Sequence, residues 1–194
     1  MISTFTAFID ANVFFGARLR SLLLFLSQTK MYRARWSERV HAEWMRAVAE
    51  KRGISVERLQ RTRELMDRAV PDAIVSGYEQ LELGIRLSDP ADRHVVAAAS
   101  LTRADVIVTF NLADFPDEVL VPLRLKAIHP DAFLMDLFGI SDDLFVEAAK
   151  RDYQHYMDPE LSFDDYIEGF RNAGVPGTAD LLEKLRVVIA DEAM

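Results

Sequence analysis

A chain of 194 residues, half of them hydrophobic, is long enough to bury a substantial core and too long to be a short binding peptide. It contains no cysteine, which excludes disulfides and thiolate metal sites, so any bound metal must be held by oxygen or imidazole. The net charge of −8 argues against uniform attraction to nucleic acid, but the charge is uneven: residues 17–70 hold 13 Lys or Arg against 6 Asp or Glu, and residues 131–194 hold 5 against 15.

Residues 5–9 form an apolar, β-prone run that stops at Asp10, the pattern of a buried strand ending in an acid. No basic residue precedes that run and Asp10 interrupts it early, which does not fit a signal peptide. The apolar stretch at 22–26 is far too short to span a bilayer, so a cytoplasmic protein with no membrane partner is expected. Residues 12–26 read as a helix and 28–30 as a turn. After the segment 32–36, Ser37 is a good N-cap for a helix reaching about Lys51, with Val40, Trp44 and Val48 at helical spacing and Glu43 beside that stripe. Gly53 ends this helix, Ser55 caps another, and Pro71 closes it. Ile74 and Val75 give a short strand signal, and residues 78–87 fit helix or strand equally.

Residues 88–92 form a turn feeding a helix over 93–102, whose Val and Ala content suits close packing on a sheet. The clearest strand is 105–109, followed by a polar loop at 110–116; residues 125–128 give one further short strand. Pro130 opens a helix with Phe133, Leu134 and Leu137. From Ser141 the pattern is helical: a helix over 142–155, a break at 157–160, a capping box of Ser162 with Asp165 opening a helix that Gly174 ends, and a last amphipathic helix with Leu181, Leu182, Leu185 and Val188. Strands alternating with helices predict an α/β domain over residues 1–139, with a central, mostly parallel sheet flanked by helices. Residues 140–194 form an acidic, all-helical C-terminal extension whose apolar stripes point to packing, so truncation after Gly139 is expected to lower solubility.

In an open parallel sheet the ligand crevice lies outside the carboxyl ends of the strands. Asp10 and Asn12 follow the first strand, Thr109, Asn111 and Asp114 follow the clearest one, and Asp92 opens the helix just before it. Clustered carboxylates raise one another's pKa unless a cation compensates. Oxygen-only ligation favours Mg²⁺ or Mn²⁺ over zinc, and such an ion can activate water and neutralise charge on a phosphate. Taken singly, each acid has an ordinary reading: Asp10, Asp89 and Asp92 as turn or cap residues, Glu43 as a surface residue, Asn111 and Asp114 as loop.

The order and context of these residues resemble the PIN-domain nuclease family. The blocks are Phe8-Ile9-Asp10-Ala11-Asn12, then Trp36-Ser37 with Glu43, then Asp89-Pro90-Ala91-Asp92-Arg93-His94 before an Ala-rich helix. The last is Ile107-Val108-Thr109-Phe110-Asn111-Leu112-Ala113-Asp114-Phe115-Pro116. The resemblance covers roughly residues 1–139 and implies a three-layer α/β nuclease fold with an acidic Mg²⁺ or Mn²⁺ site. Many relatives are VapC-type toxins of bacterial toxin–antitoxin pairs. The resemblance therefore implies a metal-dependent endoribonuclease with an RNA substrate, a cognate antitoxin and a homodimeric state. Its chemistry would be in-line attack of a metal-activated water, leaving a 3′-hydroxyl and a 5′-phosphate.

Residue by residue, Asp10, Glu43 and Asp92 match the first three acids of the family pattern. The fourth place is shared between Asp114 and Asn111, where many members have an Asp; Ala91 is a second departure. Thr109 resembles the hydroxyl residue kept beside the metal, and Asn12 the polar residue that orients the first acid. Arg33, Arg35 and Arg39 flank the Glu43 helix and, with Arg93, are candidate RNA phosphate contacts. His94 is expected to make a structural contact, while His41, His129 and His155 have no ligand spacing. Two other readings remain. A haloacid-dehalogenase-type phosphatase needs a second Asp where this chain has Asn12. A catalytically weakened PIN domain that binds RNA or protein without cutting is favoured by Asn111 and Ala91.

Overall fold

The structure is a computed structural model describing residues 5–156 and 161–190. In chain order its first elements are β1 (Thr6–Ile9), α1 (Ala17–Gln28), β2 (Arg33–Ser37), α2 (Glu38–Arg52), α3 (Val56–Ala69), β3 (Ile74–Val75), α4 (Arg93–Leu101) and β4 (Val106–Val108). They are followed by α5 (Asp117–Leu120), β5 (Ala127–Ile128), α6 (Pro130–Ile140), α7 (Asp142–Gln154), α8 (Phe163–Asn172), α9 (Pro176–Lys184) and α10 (Arg186–Ala190). These form two compact units, Met1–Phe15 with Tyr32–His129, and Gly16–Met31 with Pro130–Met194.

The first unit is built on a five-stranded sheet in the order β3-β2-β1-β4-β5, with every pairing parallel. β1 and β4 are buried along their whole length, which is why both read as unbroken apolar runs rather than alternating ones. The chain moves from β1 through β2 to β3 on one side and then crosses to β4 on the other, so the strand order reverses between β1 and β4. In such sheets a crevice opens at the carboxyl ends of the two strands flanking the reversal. α4 packs on the sheet through His94, Val95, Val96, Ala97, Ala98 and Ala99, all buried, and its small side chains allow close approach. The fold is the PIN-like α/β arrangement expected, with a helical C-terminal part.

The caps act as the sequence suggests: Ser37 Oγ accepts from the Val40 amide, Ser55 from Arg58, and Gly53 ends α2 at φ 62°. Several elements differ from expectation. The helix read over 12–26 is divided at Gly16 into a 3-10 turn (Ala11–Phe15) and α1. Gly16 is extended, and a Cβ there would lie 2.9 Å from Ala173 Cβ, so close approach of the α8 end requires the glycine. The unassigned segment 32–36 supplies β2, and within 78–87 the chain forms a 3-10 turn, Glu79–Gly84. The last helix is broken at Leu185 into α9 and α10. The break expected at 157–160 lies outside the described residues.

Among its described residues the second unit is all helical. α1 packs on α7 and α8, α6 on α7 and α9, and α10 on α7 and α9. Its core holds Leu19, Leu22, Leu26, Phe133, Phe145 and Phe170, each buried. Asp131 caps α9, its carboxylate accepting from the Gly177 amide at 2.8 Å and from the Thr178 amide and hydroxyl at 2.7 Å.

Candidate functional site

Asp10 leaves β1 at the switch point and is only 6% exposed. Its Oδ1 accepts from the Ala11 amide at 2.7 Å, and its Oδ2 accepts from Asn12 Nδ2 and Thr109 Oγ1, both at 2.7 Å. A carboxylate has about four acceptor sites, so these three donors hold Asp10 while leaving Oδ1 with capacity for one more partner. Thr109 Oγ1 also accepts from Asn12 Nδ2 at 3.0 Å and from the Asn111 amide at 3.1 Å, and Asn12 Oδ1 accepts from the Phe110 amide at 3.1 Å. The network ties the end of β1 to the end of β4. Burial raises the Asp10 carboxyl, and the charge of Glu43 adds to it; the Thr109 and Ala11 hydrogen bonds oppose the rise.

The other acids act electrostatically on this one and on each other. Asp92 ends the 3-10 turn Pro90–Asp92 at the start of α4, and its carboxyl is pushed up to about 6, first by burial and then by the charges of Asp10, Asp89 and Asp114. Asp114 ends the 3-10 turn Leu112–Asp114 and is partly exposed. Asn111 is exposed and contributes its backbone amide to Thr109. The structure therefore brings the charge of Asp114 within reach of Asp92, while Asn111 supports the loop. Asp89 holds the turn before α4, its Oδ1 accepting from the Ala91 amide at 2.8 Å.

Glu43, partly buried on α2, has two nitrogen donors on one oxygen, Arg39 one turn earlier in the same helix and His94 from α4. Its Oε1 receives Arg39 Nε at 3.2 Å and lies 3.2 Å from His94 Nε2. Burial pushes the Glu43 carboxyl up, but the hydrogen bond and charge of His94, together with those of Arg39, outweigh it and hold the group below its ordinary value. Among the described residues no group of three or more His, Asp or Glu side chains already stands in an arrangement ready to hold an ion. The donor set nonetheless fits a hard cation: all oxygen, mutually repelling, and with carboxylate oxygens left over.

The candidate phosphate contacts scatter. Arg33 pairs with Thr6 at the amino edge of the sheet, opposite the acids, and Arg35 pairs with Phe8 in the middle of it. Burial lowers the Arg35 guanidinium, with Asp72 opposing. Arg39 bridges Glu43, the Ala91 carbonyl at 3.0 Å and Glu82 at 3.6 Å. Arg93 follows Asp92 directly, and its Nε is buried without a partner among the described residues. His41 lies buried between the indoles of Trp36 and Trp44 with Asp67 at 3.0 Å, a core role. No helix among the described residues is long and apolar enough to cross a membrane.

A parallel α/β sheet with acidic residues at the carboxyl edge of its switch point fits the PIN-like fold class. Comparison with known proteins narrows it. Residues 130–184 match the family model described as VapC50 C-terminal domain. Over 78 residues, 40% of this chain, the sequence is 56% identical to a Mycobacterium tuberculosis protein named "Putative ribonuclease VapC50". The match spans 43% of that relative, less than half its length. No solved structure gives a significant match. The two matches bear out the resemblance to VapC-like PIN proteins carrying an additional C-terminal region.

Proposed function

We propose that this chain is a metal-dependent endoribonuclease, the toxin of a type II toxin–antitoxin pair, acting in the cytoplasm as a homodimer and held in check by a cognate antitoxin. One observation carries the reading: Asp10 leaves β1 at the switch point, Glu43 helps raise its carboxyl, and the charges of Asp10, Asp89 and Asp114 help push the Asp92 carboxyl up to about 6. Such a cluster is relieved by a cation, and its oxygen donors suit Mg²⁺ or Mn²⁺. The name of the VapC50 relative supports the nuclease class.

In this reading Asp10 would offer the remaining capacity of Oδ1, and Glu43 would offer Oε2. Asp92 and Asp114 complete the donor set. A bound Mg²⁺ or Mn²⁺ supplies the acidity that activates water and the charge that offsets a phosphate. Thr109 and Asn12 fix the Asp10 carboxylate by the hydrogen bonds described. Arg93, which follows Asp92 at the start of α4, would orient the phosphodiester.

The test is cleavage of RNA with Mn²⁺ present or withheld, for the wild type and Asp10→Asn. Mn²⁺-dependent cleavage that Asp10→Asn abolishes supports the reading. Equal cleavage by both proteins removes Asp10 from the chemistry. Binding of RNA without cleavage by either, across metals and substrates, replaces it with the weakened, binding-only PIN domain.

A further inference from the structure

The polar surroundings of Glu43 are one-sided. Both nitrogen donors that reach it, Arg39 Nε and His94 Nε2, converge on Oε1 at 3.2 Å each, and Oε2 has no hydrogen-bond partner among the described residues. His94 is 1% exposed, and its other ring nitrogen, Nδ1, is buried with no partner among the described residues. A charged imidazole carries an N–H at Nε2 as well as at Nδ1, and a neutral one has a single N–H to give. Here Glu43 takes it, because a proton on Nδ1 would be a buried donor with nothing to receive it.

Arg39 extends the same arrangement. One end of its guanidinium donates to the Ala91 carbonyl at 3.0 Å, in the turn that ends at Asp92, while Nε donates to Glu43. Glu43 on α2, the Asp92 turn and the first residues of α4 are thus linked through Arg39 and His94.

We infer that His94, assisted by Arg39, is a positioning residue that grips Glu43 by Oε1 and so presents Oε2 to the cation. The inference rests on reading these acids as a cation site, and it assigns to His94 a task distinct from filling space under α4. A packing role and a positioning role make opposite demands on position 94. Packing is served by an apolar side chain of similar volume, whereas positioning requires an N–H at the reach of Nε2. Glutamine supplies that N–H and leucine does not.

The experiment is Mn²⁺ titration followed by electron paramagnetic resonance on the full chain, with thermal unfolding of each protein, for wild type, Glu43→Gln, His94→Gln and His94→Leu. Loss of an orienting partner behind a metal ligand typically weakens affinity about 10- to 100-fold. His94→Leu is expected to lose affinity on that scale, as does Glu43→Gln, while His94→Gln stays within about 3-fold of wild type on the same scale. Wild-type affinity in His94→Leu, or equal loss in His94→Gln and His94→Leu, overturns the inference. If His94→Leu does not fold, the exposed Arg39→Met removes the second donor to Oε1: weakened Mn²⁺ binding supports the grip, and unchanged binding overturns it. A wild type that binds Mn²⁺ but cuts no RNA ends the nuclease reading and leaves the role of His94 standing.

Discussion

Thr109 Oγ1 donates to Asp10 Oδ2 at 2.7 Å, joining residues 99 positions apart where the sheet reverses its order. The same hydroxyl accepts from Asn12 Nδ2 and the Asn111 amide, so all its hydrogen-bonding capacity is used. Thr109→Val keeps the shape and removes every one of these bonds. It is expected to cost about 1–3 kcal/mol, because buried donors lose their acceptor. Thr109→Ser keeps the hydroxyl and loses one methyl, about 0.8 kcal/mol. Urea denaturation distinguishes them: a serine variant less stable than the valine variant would show that packing, not the hydroxyl, holds this corner.

Two glycines in the helical unit should respond oppositely to alanine. A Cβ at Gly16 lies 2.9 Å from Ala173 Cβ, so one backbone must move, and overpacking of this kind costs about 1–3 kcal/mol. Gly139 sits in α6 with open space around it, so Gly139→Ala is expected to stabilise by up to about 1 kcal/mol through helix propensity. Thermal unfolding of both variants checks the pair, and a neutral Gly16→Ala would remove the close-approach explanation for the break before α1.

The strands of the first unit were legible where burial leaves an apolar run ending in a polar residue, as at Asp10 and Thr109. β2 was missed although Arg33 and Arg35 alternate with buried Ala34 and Trp36 at a period of two, because the run is short and ends at the Ser37 cap of α2. Four acids could be named from order and context, but the pairing of Glu43 with His94 was not visible. His94 was expected to make a structural contact, but which group it meets depends on how α4 and α2 sit on the sheet. The association of α1 with α7 and α8 was equally hidden, since a leucine-rich stripe states that a face is buried and not against what.

Placement on the sheet separates the arginines. Arg33 enters at the amino edge, away from the acids, while Arg93 adjoins Asp92. On an Asp10→Asn background that prevents cleavage, Arg93→Ala should weaken RNA binding and reduce the salt dependence by about 0.7 in log–log slope, one phosphate contact on a single strand. Arg33→Ala should change neither. Filter binding at several salt concentrations reads both quantities, and a larger effect at Arg33 would move the RNA path to the opposite edge.

Asp152 gives the helical unit a pH dependence of its own. It is fully buried on α7, accepting from Ser21 Oγ of α1 and from Tyr166 Oη of α8 at 2.7 Å. Burial is the main force pushing its carboxyl up to about 7, and the two hydrogen bonds and the charge of Arg18 on α1 act against the rise. A carboxyl whose pKa is higher in the folded chain than its unfolded value of about 3.9 binds its proton more tightly when folded. Its contribution is fully present below about pH 4, and is lost as pH rises through about 7. Wild-type stability should therefore fall across that window relative to Asp152→Asn, at up to about 1.4 kcal/mol per pH unit. Asparagine carries a constant offset, because its amide must donate to one hydroxyl where the carboxylate accepted, so the slope and not the absolute value is diagnostic. Urea denaturation of both proteins between pH 4 and pH 8 measures it, and parallel stability profiles would mean that Asp152 ionises in the folded chain as it does in the unfolded one.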